Sequence, residues 1–489
     1  MPVPVARSIA LKMAQTSFLL ALPIGGLLAI AYAQAGPVGD PSPKSSAVVT
    51  VNIPYGEAKP ILESLRKNLL PAALNASPDV ASAWPTWVSQ HDVSIRARVM
   101  AGDDGSVVNL LLFGTTFTTR PRATEREIAQ LAGALGRNEL IEGRIEDLVA
   151  GAAAPGANAR LQFTREVLAR HGIDPSTAEG RGAAGRYLHN ELDQMAAEIA
   201  RIDRTVESAK TGSQLTDELL ARATIFRERG LATDTSIFSS FAIDRALDGI
   251  ASTGTLGPGS VRRVAIVGPG LDFVDKRDGF DFYPPQTIQP FAVVDSLLRF
   301  KLARLDSLRV TTLDLNPRIN DHLAQIVTRA RAGTGYPLAL VRDLDLSWTP
   351  RLVDYWERFG DRIGALGPSV DAPKTVRRVS VRSLRARADV ASVMESRDLN
   401  IVVQRLEGLA DSERFDLIVA TDILVYYDVF EQSLALANIS RMLRPGGLFL
   451  ANVALFELPV LPIGSIGFSD VAYLETPEIG DRLVWYQRK

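Results

Sequence analysis

The second half of the chain predicts an α/β fold with a largely parallel sheet, preceded by an α+β and helical N-terminal region. Three observations predict it. From Arg262 onward, the short apolar runs "RRVAIV", "LRVTTLD", "NIVVQ", "FDLIVAT", "GLFLANV" and "RLVWYQ" alternate with segments of helical length. A Gly-Pro-Gly turn at 268–270 follows the first of these runs. Ahead of them, Ala123 to about Ser252 reads as helical, and the texture changes across "STGTLGPGS", Ser252–Ser260, which has no apolar period.

The chain has 489 residues, room for two or three domains of roughly 150 residues each. Apolar residues make up 46% and charged residues 22%, a globular composition able to bury large cores. A net charge of −2 gives no global field for nucleic acid or an anionic membrane. The absence of cysteine excludes disulfides, thiolate metal sites and cysteine nucleophiles, and four histidines give little material for a histidine-rich metal centre.

The order along the chain begins with residues 1–35. Arg7 and Lys12 precede "FLLALPIGGLLAIAYA", small residues follow in "AYAQAG", and then comes a polar stretch. That is the order of a secretory signal cleaved after Ala33 or Ala35, with an uncleaved N-terminal membrane anchor as the alternative. The chain is then exported, periplasmic or secreted, or tethered to a membrane, and cytoplasmic if the segment is neither. Residues 36–47 read as a Pro/Gly/Ser linker. In 48–122, "AVVTVNI", "DVSIRARVM" and "VVNLLLF" read as strands, the last two joined by "AGDDGS" as a hairpin turn. "GTTFTTRPR" reads as a polar loop or an anion contact, and Trp84 and Trp87 as core aromatics or a binding platform. In the helical region 123–255, Leu188, Leu192, Met195, Ile199, Ile202 and Val206 fall on one stripe, which packs inside the chain or forms a dimer seam.

The region 256–489 carries the chemistry. Glycine at 268 and 270 permits a tight turn that a ligand can approach. "VTTLDLNP" is a strand delivering Asp314 at its tip, where a carboxylate accepts ribose hydroxyls, followed by Asn316-Pro317 as a helix start. "FDLIVATDILVYYD" is a strand delivering Asp422, followed by Tyr426, Tyr427 and Asp428, the last a candidate cap for an amphipathic helix. "RMLRPGGLFLAN" reads as helix end, turn and strand.

Together these segments resemble the class I S-adenosylmethionine-dependent methyltransferases over Arg262–Lys489, most specifically in the pairing of "FDLIVATDIL" with "MLRPGGLFL". The resemblance implies a Rossmann-like methyltransferase sheet of seven strands, mostly parallel with the last strand antiparallel, for which "RLVWYQRK" is suited. It implies S-adenosylmethionine as cofactor, with Gly268 and Gly270 against its methionine half, Asp314 on the ribose, Glu407 of "VVQRLEGL" approaching the adenine, and Asp422 near the methyl group or the amine. Asp422, Tyr426 and Tyr427 are then the candidate catalytic residues for transfer to an O or N acceptor. The acceptor is not named by any motif.

The glycine turn departs from that family's pattern. Ile266 and Val267 stand where an acidic residue is usual, and Asp272-Phe273 replace the third glycine. The same departures disfavour a nicotinamide site, and no Gly-Lys-Ser or Gly-Lys-Thr follows to make a phosphate loop. The segment "LDFVDKRDGFDFYPPQTIQPF" reads as a loop inserted over the crevice, with Asp272, Tyr283 and Gln286 near the ligand. A second insertion contains the basic run "KTVRRVSVRSLRAR", a solvated face or a contact for an anionic substrate. An export signal conflicts with a cytosolic cofactor, so a second expectation stands beside the enzyme: an exported, non-catalytic protein that keeps this fold as a binding or interaction module.

Overall fold

The computed structural model describes residues 48–123, 139–210, 230–232, 235–274, 280–374, 376, 378–475 and 479–489. The expected signal or anchor and the linker lie outside the described residues. Among the described residues no helix is long and apolar enough to cross a membrane.

A seven-stranded sheet organises the second half. Its strands are β2 (Arg263–Val267), β3 (Arg309–Asp314), β7 (Met394–Asp398), β9 (Phe415–Ala420), β10 (Leu443–Ala451), β11 (Ile463–Leu474) and β12 (Ile479–Arg488). The spatial order is β11-β12-β10-β9-β2-β3-β7. Neighbours from β10 to β7 are parallel. β12 runs antiparallel to both β10 and β11. From β2 the chain steps outward through β3 to β7, then returns to the other side of β2 through β9 and β10. The order therefore reverses between β2 and β9, and the carboxyl ends there form the crevice where such sheets take ligands.

The pleat explains why these runs are so apolar. Val264, Ile266, Val310, Leu417, Val419, Leu448 and Leu450 face one core. Ala265, Val267, Leu313, Ile418, Ala420, Phe449 and Ala451 face the other. A strand buried on both faces reads as a continuous apolar run. The first core is closed by α7 (Ile237–Ser252), α8 (Gln289–Arg299) and α9 (Pro317–Arg331), the second by α1 (Tyr55–Ser64), α3 (Val80–Phe113) and α12 (Val429–Met442). Helix α7 lies in the same core as the sheet, so the glycine-rich stretch 252–260 is a turn inside this unit.

Within 48–122, β1 (Val49–Asn52) is a strand, and it pairs antiparallel with β8 (Gln404–Glu407). The two further expected strands are instead parts of α3. Asp79 starts this helix by accepting the Ser82 amide at 3.2 Å. Trp84, Trp87, Val88, Ile95 and Val99 are buried on one face of the helix. "VVNLLLF" is buried all round, and a short apolar run of that kind does not distinguish strand from helix by period. "AGDDGS" is no turn. Gly102 is where the helix meets the 230–232 segment, and a Cβ there would lie 1.9 Å from the Leu231 carbonyl oxygen.

Trp84 and Trp87 stack at 5.1 Å in the core, and the Trp84 indole donates to the Ile53 carbonyl. α4 (Glu139–Ala153), α5 (Ala159–Arg170) and α6 (Ala178–Lys210) pack with the end of α3, and Leu188, Leu192 and Met195 of α6 are buried there inside the chain. Ile199, Ile202 and Val206 lie among residues whose side chains are not described.

A second correction concerns "NIVVQ". Asn400–Val403 form a turn whose carbonyls at 401 and 402 accept the buried Asn438 amide. The sheet strand there is β7, "MESRD", a largely polar edge strand that carries no apolar signal. Within the basic run, Val379–Ala386 form β6, which lies between β4 (Tyr336–Asp343) and β5 (Gly364–Leu366) in a separate antiparallel sheet.

A buried polar junction ties α7 to α8 and α10 (Pro350–Arg358). The fully buried Asp244 carboxylate accepts Ser296 Oγ at 2.8 Å and Arg358 Nη2 at 2.7 Å. Burial raises its pKa, and the Arg358 charge works in the opposite direction. Arg358→Ala leaves a buried carboxylate without its cation. Since Arg358 is partly exposed, urea denaturation at neutral pH is expected to show a loss on the order of 2–3 kcal/mol. A change below about 0.5 kcal/mol would contradict the assigned role.

Candidate functional site at the carboxyl ends of the central strands

The chain leaves β2 through Gly268 and Gly270, at φ +65° and +72°, the left-handed region open to glycine. The Gly268 amide donates to the Leu313 carbonyl at 2.9 Å, tying the turn to β3. A Cβ at Gly268 would fall 2.1 Å from Ile423 Cδ1. The close approach that requires glycine is thus made by the Ile423 side chain of the chain itself.

β3 delivers Asp314. Its Oδ1 accepts the Asn316 amide at 2.8 Å, while Asn316 caps α9 and Pro317 occupies the first turn. Strand tip and helix cap are therefore different residues. Among the described residues no cation pairs with Asp314. Burial pushes its pKa up to about 7, and the Asp398 charge adds a smaller push in the same direction. Asp398 ends β7 directly across the register from Asp314. It is held by Arg96 of α3 through two bonds, at 3.0 and 2.7 Å.

β9 delivers Asp422, a non-glycine residue at φ +60°. Asn452, just past β10, holds it reciprocally: Asn452 Oδ1 accepts the Asp422 amide at 2.8 Å and Asn452 Nδ2 donates to Asp422 Oδ1 at 2.6 Å. Ser239 Oγ of α7 donates to the second carboxylate oxygen at 2.7 Å. The unfavourable backbone angle is over-determined by these bonds, as is common where a side chain must be aimed. Tyr426 and Tyr427 follow, both buried. Arg98 of α3 donates to the Tyr426 carbonyl at 2.8 Å and lies over the Tyr427 ring. Burial pushes the Tyr427 hydroxyl pKa up, so the hydroxyl stays protonated near neutral pH.

Helix α3 crosses these strand ends. Besides Arg96 and Arg98, its Asp92 accepts Asn400 Nδ2 at 2.8 Å. Farther along, Asp103 and Ser106 meet Leu271, Phe273, Asn316, Arg318 and Ile319 around a void of about 10 Å³, room for roughly one water.

The sequence-read residues divide into three groups. Gly268, Gly270, Asp314 and Asp422 sit at the ends of adjacent central strands. Tyr426 and Tyr427 lie beside them as packing residues. Glu407 lies elsewhere: it ends β8, half-exposed, 3.3 Å from Arg405, in the two-stranded sheet with β1. The acid at the third strand tip is Asp398, hidden from the sequence reading because the strand was assigned to "NIVVQ".

The inserted loop does lie at this end, since Leu271 and Phe273 face Asn316 and Arg318. Its polar residues, however, serve its own packing. Asp272 and Gln286 form a backbone bridge, and Gln286 Nε2 donates to Asp272 Oδ2 at 3.1 Å and to the Ala339 carbonyl of β4 at 2.7 Å. Tyr283 is buried, and its carbonyl accepts Arg160 Nη1 at 2.6 Å. The anion held by "GTTFTTRPR" is the chain's own Asp281, whose carboxylate takes the amides and hydroxyls of Thr115 and Thr116 at 2.5–3.1 Å. Arg96, Arg98, Ser239 and Asn452 were missed. Asn452 alone carried a signal, as the polar end of "GLFLAN".

No family model and no curated protein matches the sequence. Among solved structures, the chain is similar to the N-methyltransferase NodS from Bradyrhizobium japonicum WM9 at 14% identity, covering 50% of this chain and 93% of that one, with a TM-score of 0.23. It is similar to the mitomycin 7-O-methyltransferase MmcR at 13% identity, covering 84% and 98%, with a TM-score of 0.25. It is similar to the glycopeptide N-methyltransferase MtfA complexed with S-adenosyl-L-methionine at 13% identity, covering 49% and 75%, with a TM-score of 0.20. Likeness at these scores carries no argument about activity, which must come from the site.

The Asp314 environment gives a pH signature. Its folded pKa of about 7 lies above the ordinary 3.8, so the folded chain binds more protons between those values. Stability then falls as pH rises through that window. Asp314→Asn is expected to melt higher than the native chain at about pH 8, with the difference vanishing near about pH 4. Parallel melting curves across that range would show that the carboxylate is not held in this environment.

Proposed function

We propose that the chain binds S-adenosylmethionine at the carboxyl ends of β2, β3 and β9 and transfers its methyl group to an O or N acceptor. The observation that carries the reading is Asp314: a half-buried carboxylate at the tip of β3, next to the switch-point strand β2, with no cation on it among the described residues and its pKa pushed up to about 7. A pair of ribose hydroxyls would add hydroxyl donors to the backbone amide it already accepts. The mostly parallel sheet, with β12 antiparallel beside β10, is of the kind the sequence resemblance implies. Gly268 and Gly270 turn beside the same strand ends, where the methionine half would lie, once Ile423 swings off Gly268.

The bound cofactor supplies a sulfonium methyl group open to in-line displacement. The chain's own contribution is orientation and a carboxylate. Asp422, fixed by Asn452 and Ser239, is placed to align the acceptor or take its proton. Tyr427 packs beneath the site with its hydroxyl protonated.

A second reading has its own support. Helix α3 crosses the strand ends, and Ile423 fills the glycine turn. These contacts suit an exported, non-catalytic module that keeps the sheet and does not admit the cofactor. The N-terminal 35 residues, read as a signal or anchor, suit the same alternative.

Calorimetric titration of the full chain with S-adenosylmethionine and S-adenosylhomocysteine decides between them. Saturable binding is expected, weakened about 100-fold in Asp314→Ala through the loss of two charge-assisted hydrogen bonds. Folded protein that gives no heat with either compound would leave the non-catalytic reading. Arg96→Ala frees Asp398 from α3 and is expected to tighten binding. An unchanged or weaker affinity would mean that the helix does not stand in the cofactor's way.

A further inference from the structure

A cavity of about 220 Å³ opens one helix length from the crevice, lined by Ile326, Arg329, Thr334, Tyr336, Pro337 and Arg385, with Gly335 in its wall. α9 begins beside Asp314 and its fifteen residues span about 22 Å, so this cavity at its far end is separate from the strand-end site. None of its lining residues is acidic.

Two arginines from different parts of the chain line it. Arg329 comes from the last turn of α9 and Arg385 from β6. The other described arginines of the basic run, around Arg385, each have an acid. Arg378 pairs with Asp345 at 2.5 Å, Arg382 with Asp361 at 3.2 Å, and Arg387 with Asp389 at 3.0 Å. Arg385 reaches only the Gly335 carbonyl, at 3.4 Å, and Arg329 only the Gln325 carbonyl, at 3.3 Å. Among the described residues neither has an acidic partner.

The wall packs closely against Arg385. A Cβ at Gly335 would lie 2.4 Å from the Ala386 carbonyl oxygen and 3.1 Å from Arg385 Cγ, so only glycine lets the start of β4 lie this close to Arg385. The floor is the buried Tyr336 ring, stacked on Phe291 at 4.9 Å, with its hydroxyl accepting the Thr287 amide at 3.0 Å. The floor is therefore rigid and apolar, while the rim is cationic.

We propose that this cavity is a binding site for a compact phosphate-bearing ligand, gripped by Arg329 and Arg385, with Thr334 at the rim and the ligand's carbon body against Ile326, Tyr336 and Pro337. Guanidinium groups are permanently charged and match phosphate oxygens bidentately. The volume is below the roughly 300–1,000 Å³ of sites for drug-sized molecules, which limits the ligand to a small phosphomonoester or phosphate itself. The site does not depend on the methyltransferase reading. It gives a role to the one member of the basic run's described arginines that its own fold leaves without an acid.

The test is a titration of the full chain with inorganic phosphate and with glycerol 3-phosphate, followed by ³¹P line broadening and calorimetry. Saturable binding is expected, stronger for glycerol 3-phosphate. Arg329→Gln or Arg385→Gln is expected to weaken it about tenfold or more each. Arg378→Gln, which removes an exposed arginine away from the cavity, should leave it unchanged. All three arginines are on the surface, and circular dichroism checks that the variants fold. The proposal is overturned by saturable binding that persists in the double Gln variant, by an equal loss in Arg378→Gln, or by no saturation up to about 20 mM of either probe.

Discussion

The crossing of α3 over the strand ends is the contact on which the rest of the arrangement depends. Arg96 grips the tip of β7, Arg98 the turn after β9, and Gly102 lets the 230–232 segment close against the helix from outside. The same helix has its tryptophans in the sheet core and its end among α4, α5 and α6. It therefore couples the helical N-terminal region to the one end of the sheet where a ligand would bind. Local opening of such an element sets access to a site without disturbing the sheet beneath it.

Beneath that helix the strand tips hold three carboxylates in three different states. Asp422 is engaged by Asn452 and Ser239, Asp398 is paired with Arg96, and Asp314 has only backbone donors. At Asp314 the perturbation comes mainly from burial, with a smaller push from the Asp398 charge. Desolvation that backbone donors offset only in part is a cost that a ligand with two hydroxyl donors would reduce.

Much of the sheet was legible because its central strands are buried on both faces. "RRVAIV", "FDLIVAT" and "GLFLANV" could not be surface strands, and the strand tips Asp314 and Asp422 followed directly from where the apolar runs stop. Asn316 and Asp428 were readable as caps, and each is one. What failed has physical causes. The edge strand "MESRD" needs only one apolar face and gave no pattern, which displaced the third acid from Asp398 to Glu407. "VVNLLLF" is apolar at every position, so strand and helix were equally compatible with it. The long-range partners Arg96, Ser239 and Asn452 lie 302, 183 and 30 positions from the residues they hold, and no local rule reaches them.

The inserted loop shows the same limit from the other side. Its aromatic and acidic composition suggested ligand contact, yet Asp281 is consumed by Thr115 and Thr116, and Gln286 by β4. The loop is a structural bridge between the helical region and the second sheet, at the crevice but turned away from it. The central claim, that a nucleoside sits on Asp314, is tested most directly by a crystal structure of the full chain grown with S-adenosylhomocysteine. The account predicts its ribose hydroxyls on the Asp314 carboxylate, with the Arg96–Asp398 pair broken and Ile423 swung away from Gly268. A ligand bound away from Asp314, or bound with α3 and Ile423 unmoved, would contradict it.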